Sequence, residues 1–158
     1  MSMRTLLCLL VLVTTNSCSA APAQPAAVQD DDTFTCTPIR VWDGDGPIWC
    51  GEGPRIRLAG IAARETDGSC RPGHPCPAAD AATARDHLAG LIGRVTGTAR
   101  EGHLLVEGPP LICRSEGSAG GSRTAAWCRT AGGVDLSCRM VADGMAARWE
   151  RFWRDHRC

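Results

Sequence analysis

Residues 41–65 constrain this chain more than any other stretch. They read V-W-D-G-D-G, a short connection, and then R-I-R-L-A-G-I-A-A-R-E. Asp-Gly steps tolerate positive φ, so Asp43-Gly44-Asp45-Gly46 predicts a tight turn. After it, Ile56, Leu58 and Gly60 alternate with Arg55, Arg57 and Ala59, the period of a strand with one buried face. Acids on a turn therefore sit beside guanidinium groups on a neighbouring strand. Such a set can hold a cation and a phosphate diester together.

The rest of the chain continues in β. Residues 33–42 alternate polar and apolar β-formers and predict a strand, followed by 48–50 and 55–61. Residues 66–77 are a Gly/Pro loop. A helix is expected over 78–92, with Pro77 near its start, Gly93 past its end and Ala81, Ala84, Leu88 and Leu91 on its buried stripe. His87 reads as a surface histidine on that helix. Short β runs follow at 94–99, 103–107, 111–114 and 123–128. A second helix is expected over 135–145, capped by Asp135, with Leu136, Met140 and Val141 inward. Residues 146–156 extend or follow it, and Trp149, Phe152 and Trp153 share one helical face as core or interface. The order predicts a mainly β protein with two to three helices (α+β), a small and mostly antiparallel barrel of which the five-stranded OB-fold is the leading form.

The chain has 158 residues and ten cysteines, two of which, Cys8 and Cys18, lie in its first 20 residues. That opening segment has Arg4, an apolar run from Leu6 to Val13 too short to span a bilayer, and small residues ending at Ala20. It reads as a secretory signal peptide, residues 1–20, with no transmembrane segment left after its removal. Thr15-Asn16-Ser17 matches lipoprotein processing poorly, so a lipid anchor at Cys18 is not the expected outcome. Residues 21–33, rich in Ala, Pro, Gln and Asp, read as a disordered leader, and 34–158 as the domain. The product is expected in the bacterial periplasm or secreted, as a monomer.

Export delivers Cys36, Cys50, Cys70, Cys76, Cys113, Cys128, Cys138 and Cys158 to an oxidising space, where disulfides are the default. The spacing of Cys70 and Cys76 makes them the best pair, and Cys36 and Cys50 flank the turn as candidate cross-strand partners. The remaining connectivity stays open. Zinc is disfavoured, because no C-x2-C pair exists and the spacing around His74 is wrong for a structural site. All 17 basic residues are arginine, tyrosine is absent, and 17 acids balance the bases. No global field draws in nucleic acid, so polyanion binding must be local.

With these motifs in hand, the chain resembles the staphylococcal nuclease-like (thermonuclease) family over about residues 34–153. D-G-D-G at 43–46 and R-I-R-L-A-G-I-A-A-R-E at 55–65 are similar to its D-G-D-T turn and R-x-R-L-x-G-I-D-x-P-E strand. G-S-R-T-A-A-W at 121–127 corresponds to its Y-G-R strand, and D-L-S-C-R-M-V-A-D-G-M-A at 135–146 to its last helix. The resemblance implies an OB-fold and Ca²⁺-dependent hydrolysis of phosphodiester bonds in single-stranded DNA or RNA. It implies Asp45 as a calcium ligand, Glu65 as general base, and Arg57 and Arg123 as the clamp on the scissile phosphate. A hard cation and guanidinium groups neutralise phosphate charge, and a carboxylate takes a proton from water.

Four positions depart from the pattern. Ala62 replaces the second calcium-binding aspartate, Gly46 the threonine, Arg64 the proline and Gly121 the tyrosine. Loss of one of two carboxylates should weaken Ca²⁺ binding by about tenfold or more. Two functions are therefore expected to compete. One is an exported nuclease-like phosphodiesterase with a degenerate calcium site. The alternative is a non-catalytic, disulfide-stapled OB-fold binding or structural module, in which Arg57 and Arg123 pair with Glu65 as an ion cluster.

Overall fold

The computed structural model describes residues 26–158. The signal segment 1–20 and the first part of the leader lie outside the described residues. The protein is mainly β with three helices against one large sheet. Ten strands are present: β1 (Thr33–Cys36), β2 (Pro38–Val41), β3 (Ile48–Cys50), β4 (Arg55–Leu58), β5 (Ile61–Ala62), β6 (Arg94–Thr98), β7 (Leu104–Glu107), β8 (Leu111–Ser118), β9 (Arg123–Arg129) and β10 (Ala147–Arg148). The helices are α1 (Ala81–Ile92), α2 (Leu136–Ala142) and α3 (Glu150–Trp153).

Eight strands form one sheet in the order β1-β8-β9-β4-β3-β2-β7-β6, while β5 and β10 pair separately. Strands β2, β3 and β4 make an antiparallel meander, and β4 then runs parallel to β9, with Arg55 opposite Arg123. Among the described residues no pairing joins β1 to β6, so the sheet is open. Its inner face carries Ile48, Ile56, Leu58 and Leu111, all essentially solvent-free, and α1 and α2 add Leu88, Ile92, Leu136 and Met140. The alternation of Ile56 and Leu58 with two arginines thus sets which face of β4 enters the core.

Local chemistry explains where element boundaries differ from expectation. The 33–42 strand breaks at Thr37, whose amide donates to the Glu52 carboxylate rather than to a strand neighbour. Helix α1 begins at Ala81 because the Asp80 side chain accepts from the Thr83 amide at 2.9 Å and caps it there. Its buried stripe includes Ala89 and Ile92, and Leu91 is only partly covered. Asp135 caps α2 through the Cys138 amide, and the helix stops before Gly144 at φ 73°.

Residues 146–156 do not form the expected single helix. Ala147 and Arg148 pair with β5, and the Trp149 amide donates to the Gly60 carbonyl at 2.7 Å before one turn of α3. Trp153 consequently parts from the other two rings, while Trp149 and Phe152 meet edge-on with centroids 4.6 Å apart. Trp153 is buried edge-on to Trp127, Trp149 lies against His74 with centroids 4.1 Å apart, and Phe152 is exposed. His87 sits on the surface of α1 and bonds Asp143 at the end of α2, 2.6 Å away.

Four disulfides join Cys36–Cys50, Cys70–Cys76, Cys113–Cys128 and Cys138–Cys158. They mark a chain that folds in an oxidising environment. No helix among the described residues is long and apolar enough to cross a membrane. The last part of the expected leader is tied down: the Val28 amide donates to Thr124 Oγ1 and its carbonyl accepts from Ser115 Oγ. Ser115 and Thr124 are fully buried, and their hydroxyls need partners that this segment supplies.

Candidate functional site

The Asp43–Gly46 turn is held from both sides. The Trp42 amide donates to the Pro47 carbonyl, and the Leu58 amide donates to the Asp45 carbonyl at 2.9 Å. This lays the two aspartates against β4, and both are buried. Arg57 forms a two-pronged pair with Asp45, Nη1 to Oδ1 at 3.0 Å and Nη2 to Oδ2 at 2.7 Å. The Ala63 amide donates to the same Oδ2 at 3.0 Å. Asp45 therefore faces three donors on its two oxygens.

Asp43 has no such cation. Its Oδ1 accepts only from the Asp45 amide, at 3.2 Å. Burial, and then the neighbouring Asp45 charge, push its carboxyl up to about 8. Burial pushes Asp45 up as well, against the pull of Arg57 and the Ala63 amide. Of the pair, Asp43 keeps the proton at neutral pH, because Asp45 has the guanidinium.

Glu65 ends the strand segment and begins the loop stapled by Cys70–Cys76. That loop folds back so that Arg71 grips the carboxylate, Nε to Oε1 at 2.6 Å and Nη2 to Oε2 at 3.0 Å. Arg64 is turned into the same loop, donating to the carbonyls of Gly68 and Pro77. Arg123, at the start of β9, donates to the carbonyls of Ala119 and Gly120. Among the described residues Arg123 has no carboxylate within ion-pair distance. Arg57 and Arg123 pair with different partners, so the expected ion cluster of both on Glu65 does not form.

Arg57, Glu65 and Arg123 nevertheless line one cleft of about 250 Å³, together with Asp43, Arg71 and Glu101. Asp45 lies behind this wall and reaches the cleft only through Arg57. With Asp43 protonated, and counting Asp45, which pairs with Arg57, three arginines meet the three carboxylates Asp45, Glu65 and Glu101. The charges balance, and Arg123 is the arginine left without an ion-pair partner among the described residues. Trp42, Trp49 and His103 complete the lining. Sequence reasoning missed Arg71, which sat in a loop read only for its cysteines, and it missed all three rings. Trp42 immediately precedes the D-G-D-G turn and Trp49 follows it by three residues, and that closeness was the available signal.

Two positions that depart from the resemblance are built into the fold. Gly46 has φ 108°, and a Cβ there would overlap the Ile56 carbonyl oxygen. Ala62 is fully buried and pairs with Ala147 across β5 and β10.

A larger cavity, about 670 Å³, lies elsewhere, under the C-terminal tail against β8 and β9. Three of its four arginines are paired, Arg114 with Asp31 and Glu116, Arg154 with Glu116 and Arg129 with Asp135, and Arg157 is the fourth. Asp135, Cys138 and His156 come together beside it. Cys138 is consumed by its disulfide, and His156 bonds Asp135 and stacks on Trp127, so the trio is structural. The cleft of Arg57 and Arg123 is the candidate site. Compared with protein-family models, curated proteins and solved structures, the chain has no match.

Proposed function

We propose that this is an exported, disulfide-stapled protein of the staphylococcal nuclease-like OB type, whose cleft binds the phosphodiester backbone of single-stranded DNA or RNA without Ca²⁺. One observation carries this: Arg57, Arg71 and Arg123 line a single cleft, and among the described residues Arg123 has only backbone carbonyls as partners and no carboxylate within ion-pair distance. Guanidinium groups suit phosphate oxygens geometrically. The antiparallel meander, the parallel β4–β9 pair and the β2–β7 pairing suit a partly open Greek-key barrel.

The donor set fits Ca²⁺ poorly. The cation takes six to eight oxygens and relies on carboxylate charge. Both Asp45 oxygens already receive donors, and Ala62 offers no oxygen from its side chain. Glu65, with its carboxylate in the same cleft, favours hydrolysis as a second function, since a carboxylate there can accept a proton from water.

Equilibrium binding of a labelled single-stranded oligonucleotide, followed on a gel for cleavage, tests both. We expect salt-sensitive binding, an intact oligonucleotide, and no change in melting temperature with millimolar Ca²⁺. Arg123→Ala should weaken binding and reduce the slope of log K against log salt by about 0.7, one phosphate contact on a single strand. Ca²⁺-stimulated cleavage that Glu65→Gln abolishes would replace binding with hydrolysis. Absence of binding at low salt would remove the proposal.

A further inference from the structure

One wall of the cleft is aromatic. Trp42 follows β2, Trp49 lies in β3, and His103 precedes β7, which pairs with β2. Hairpin and sheet pairing bring the rings together. The His103 ring lies 4.6 Å from Trp42 and 4.5 Å from Trp49, centroid to centroid, and meets Trp49 edge-on. All three line the same cleft as Arg57 and Arg123.

None of the three is a core residue. Each is half-buried and lines the cleft, and the Arg55 guanidinium lies over the Trp49 ring 5.9 Å from its centroid. Burial and the nearby Arg40 hold the His103 imidazole below its ordinary range, so at neutral pH it is an uncharged ring supporting two indoles. Its Nδ1 is enclosed and has no hydrogen-bond partner, which leaves the ring's role here to packing. Flat aromatic faces beside a guanidinium pair are the two parts of a single-strand binding surface: one stacks a base and the other holds the backbone.

We propose that Trp42 and Trp49, supported by His103, form a nucleobase-stacking site for single-stranded nucleic acid whose backbone phosphate lies at Arg57 and Arg123. This rests on the phosphodiester proposal above and narrows it, because a phosphate-bearing ligand without a base would leave the wall unused. Every base has a π-face, so the site discriminates little among sequences.

The test compares two ligands on the intact protein by fluorescence anisotropy at low salt. One is a single-stranded oligonucleotide of about eight nucleotides, within the range one OB-type site covers. The other is an abasic phosphodiester chain of equal length. Loss of stacking should weaken the abasic chain by about 5- to 100-fold. Trp49→Leu should weaken the base-bearing ligand about tenfold or more and leave the abasic chain unchanged, whereas Arg123→Ala should weaken both. If Trp49→Leu does not fold, the two-ligand comparison on the unmodified protein still decides. Equal affinity for both ligands overturns the stacking site and leaves the phosphodiester site standing. If neither ligand binds, both fall together.

Discussion

Replacing Asp43 with asparagine should make the protein more stable, by an amount that grows with pH. Asp43 is buried, lacks a cation of its own, and has its carboxyl pushed from 3.8 up to about 8 by burial and by Asp45. Below pH 3.8 the group is protonated whether the chain is folded or not, and it costs nothing. Between 3.8 and 8 the unfolded chain releases the proton while the folded chain keeps it, so stability falls by about 1.4 kcal/mol per pH unit. Above 8 the loss levels off. The full difference corresponds to about 6 kcal/mol, a ceiling that relaxation and water entry reduce to about 2–5 kcal/mol. Asparagine keeps the oxygen that accepts from the Asp45 amide, and its NH₂ group can replace the proton shared with Asp45. Guanidinium unfolding with disulfides intact, at pH 4, 6, 8 and 9, should give nearly equal stabilities at pH 4 and a widening advantage for Asp43→Asn up to pH 8. Other titrating groups, such as His74 and His103, cancel in that difference. Parallel pH profiles for the two proteins, or a variant less stable at pH 8, would refute the reasoning.

Arg57→Ala should destabilise the fold by about 3–5 kcal/mol, because it leaves Asp45 buried without its cation. Adding Asp45→Asn to that variant should recover part of the loss, and a double-mutant cycle in guanidinium reads the coupling. Gly46→Thr, the change that would match the thermonuclease pattern, should cost about 3 kcal/mol or more, since a β-branched residue meets both φ 108° and the Ile56 carbonyl. A fall in melting temperature of about 10 °C or more is expected, and an unchanged value would contradict the close approach.

Much of the fold was legible because its causes are local. Period-two alternation placed Ile56 and Leu58 inward and Arg57 on the cleft side, and an Asp at a helix start announced the α2 cap. Close spacing identified Cys70 and Cys76 as one staple. These features depend on a few adjacent residues, and backbone sterics and capping hydrogen bonds act at that range. The candidate residues Arg57, Glu65 and Arg123 were legible by type, and Arg123 reaches the cleft because β9 pairs in parallel with β4.

What each group does there was settled by tertiary contacts. Whether Asp45 is available as a ligand depends on Arg57, which lies across a turn from it, and the state of Asp43 depends on how deeply the turn is buried. Glu65 is engaged by Arg71 because a disulfide loop folds back, and the tryptophans meet His103 only through the β2–β7 pairing. Near the C-terminus Trp153 parts from Trp149 and Phe152 because β5 captures Ala147 and Arg148 as a strand. Sequence alone determined the elements, their inward faces and the chemical inventory of residues 41–65. The pairing of charges and rings came from contacts between distant segments, because burial and partner identity set a charged group's state and no local pattern encodes either.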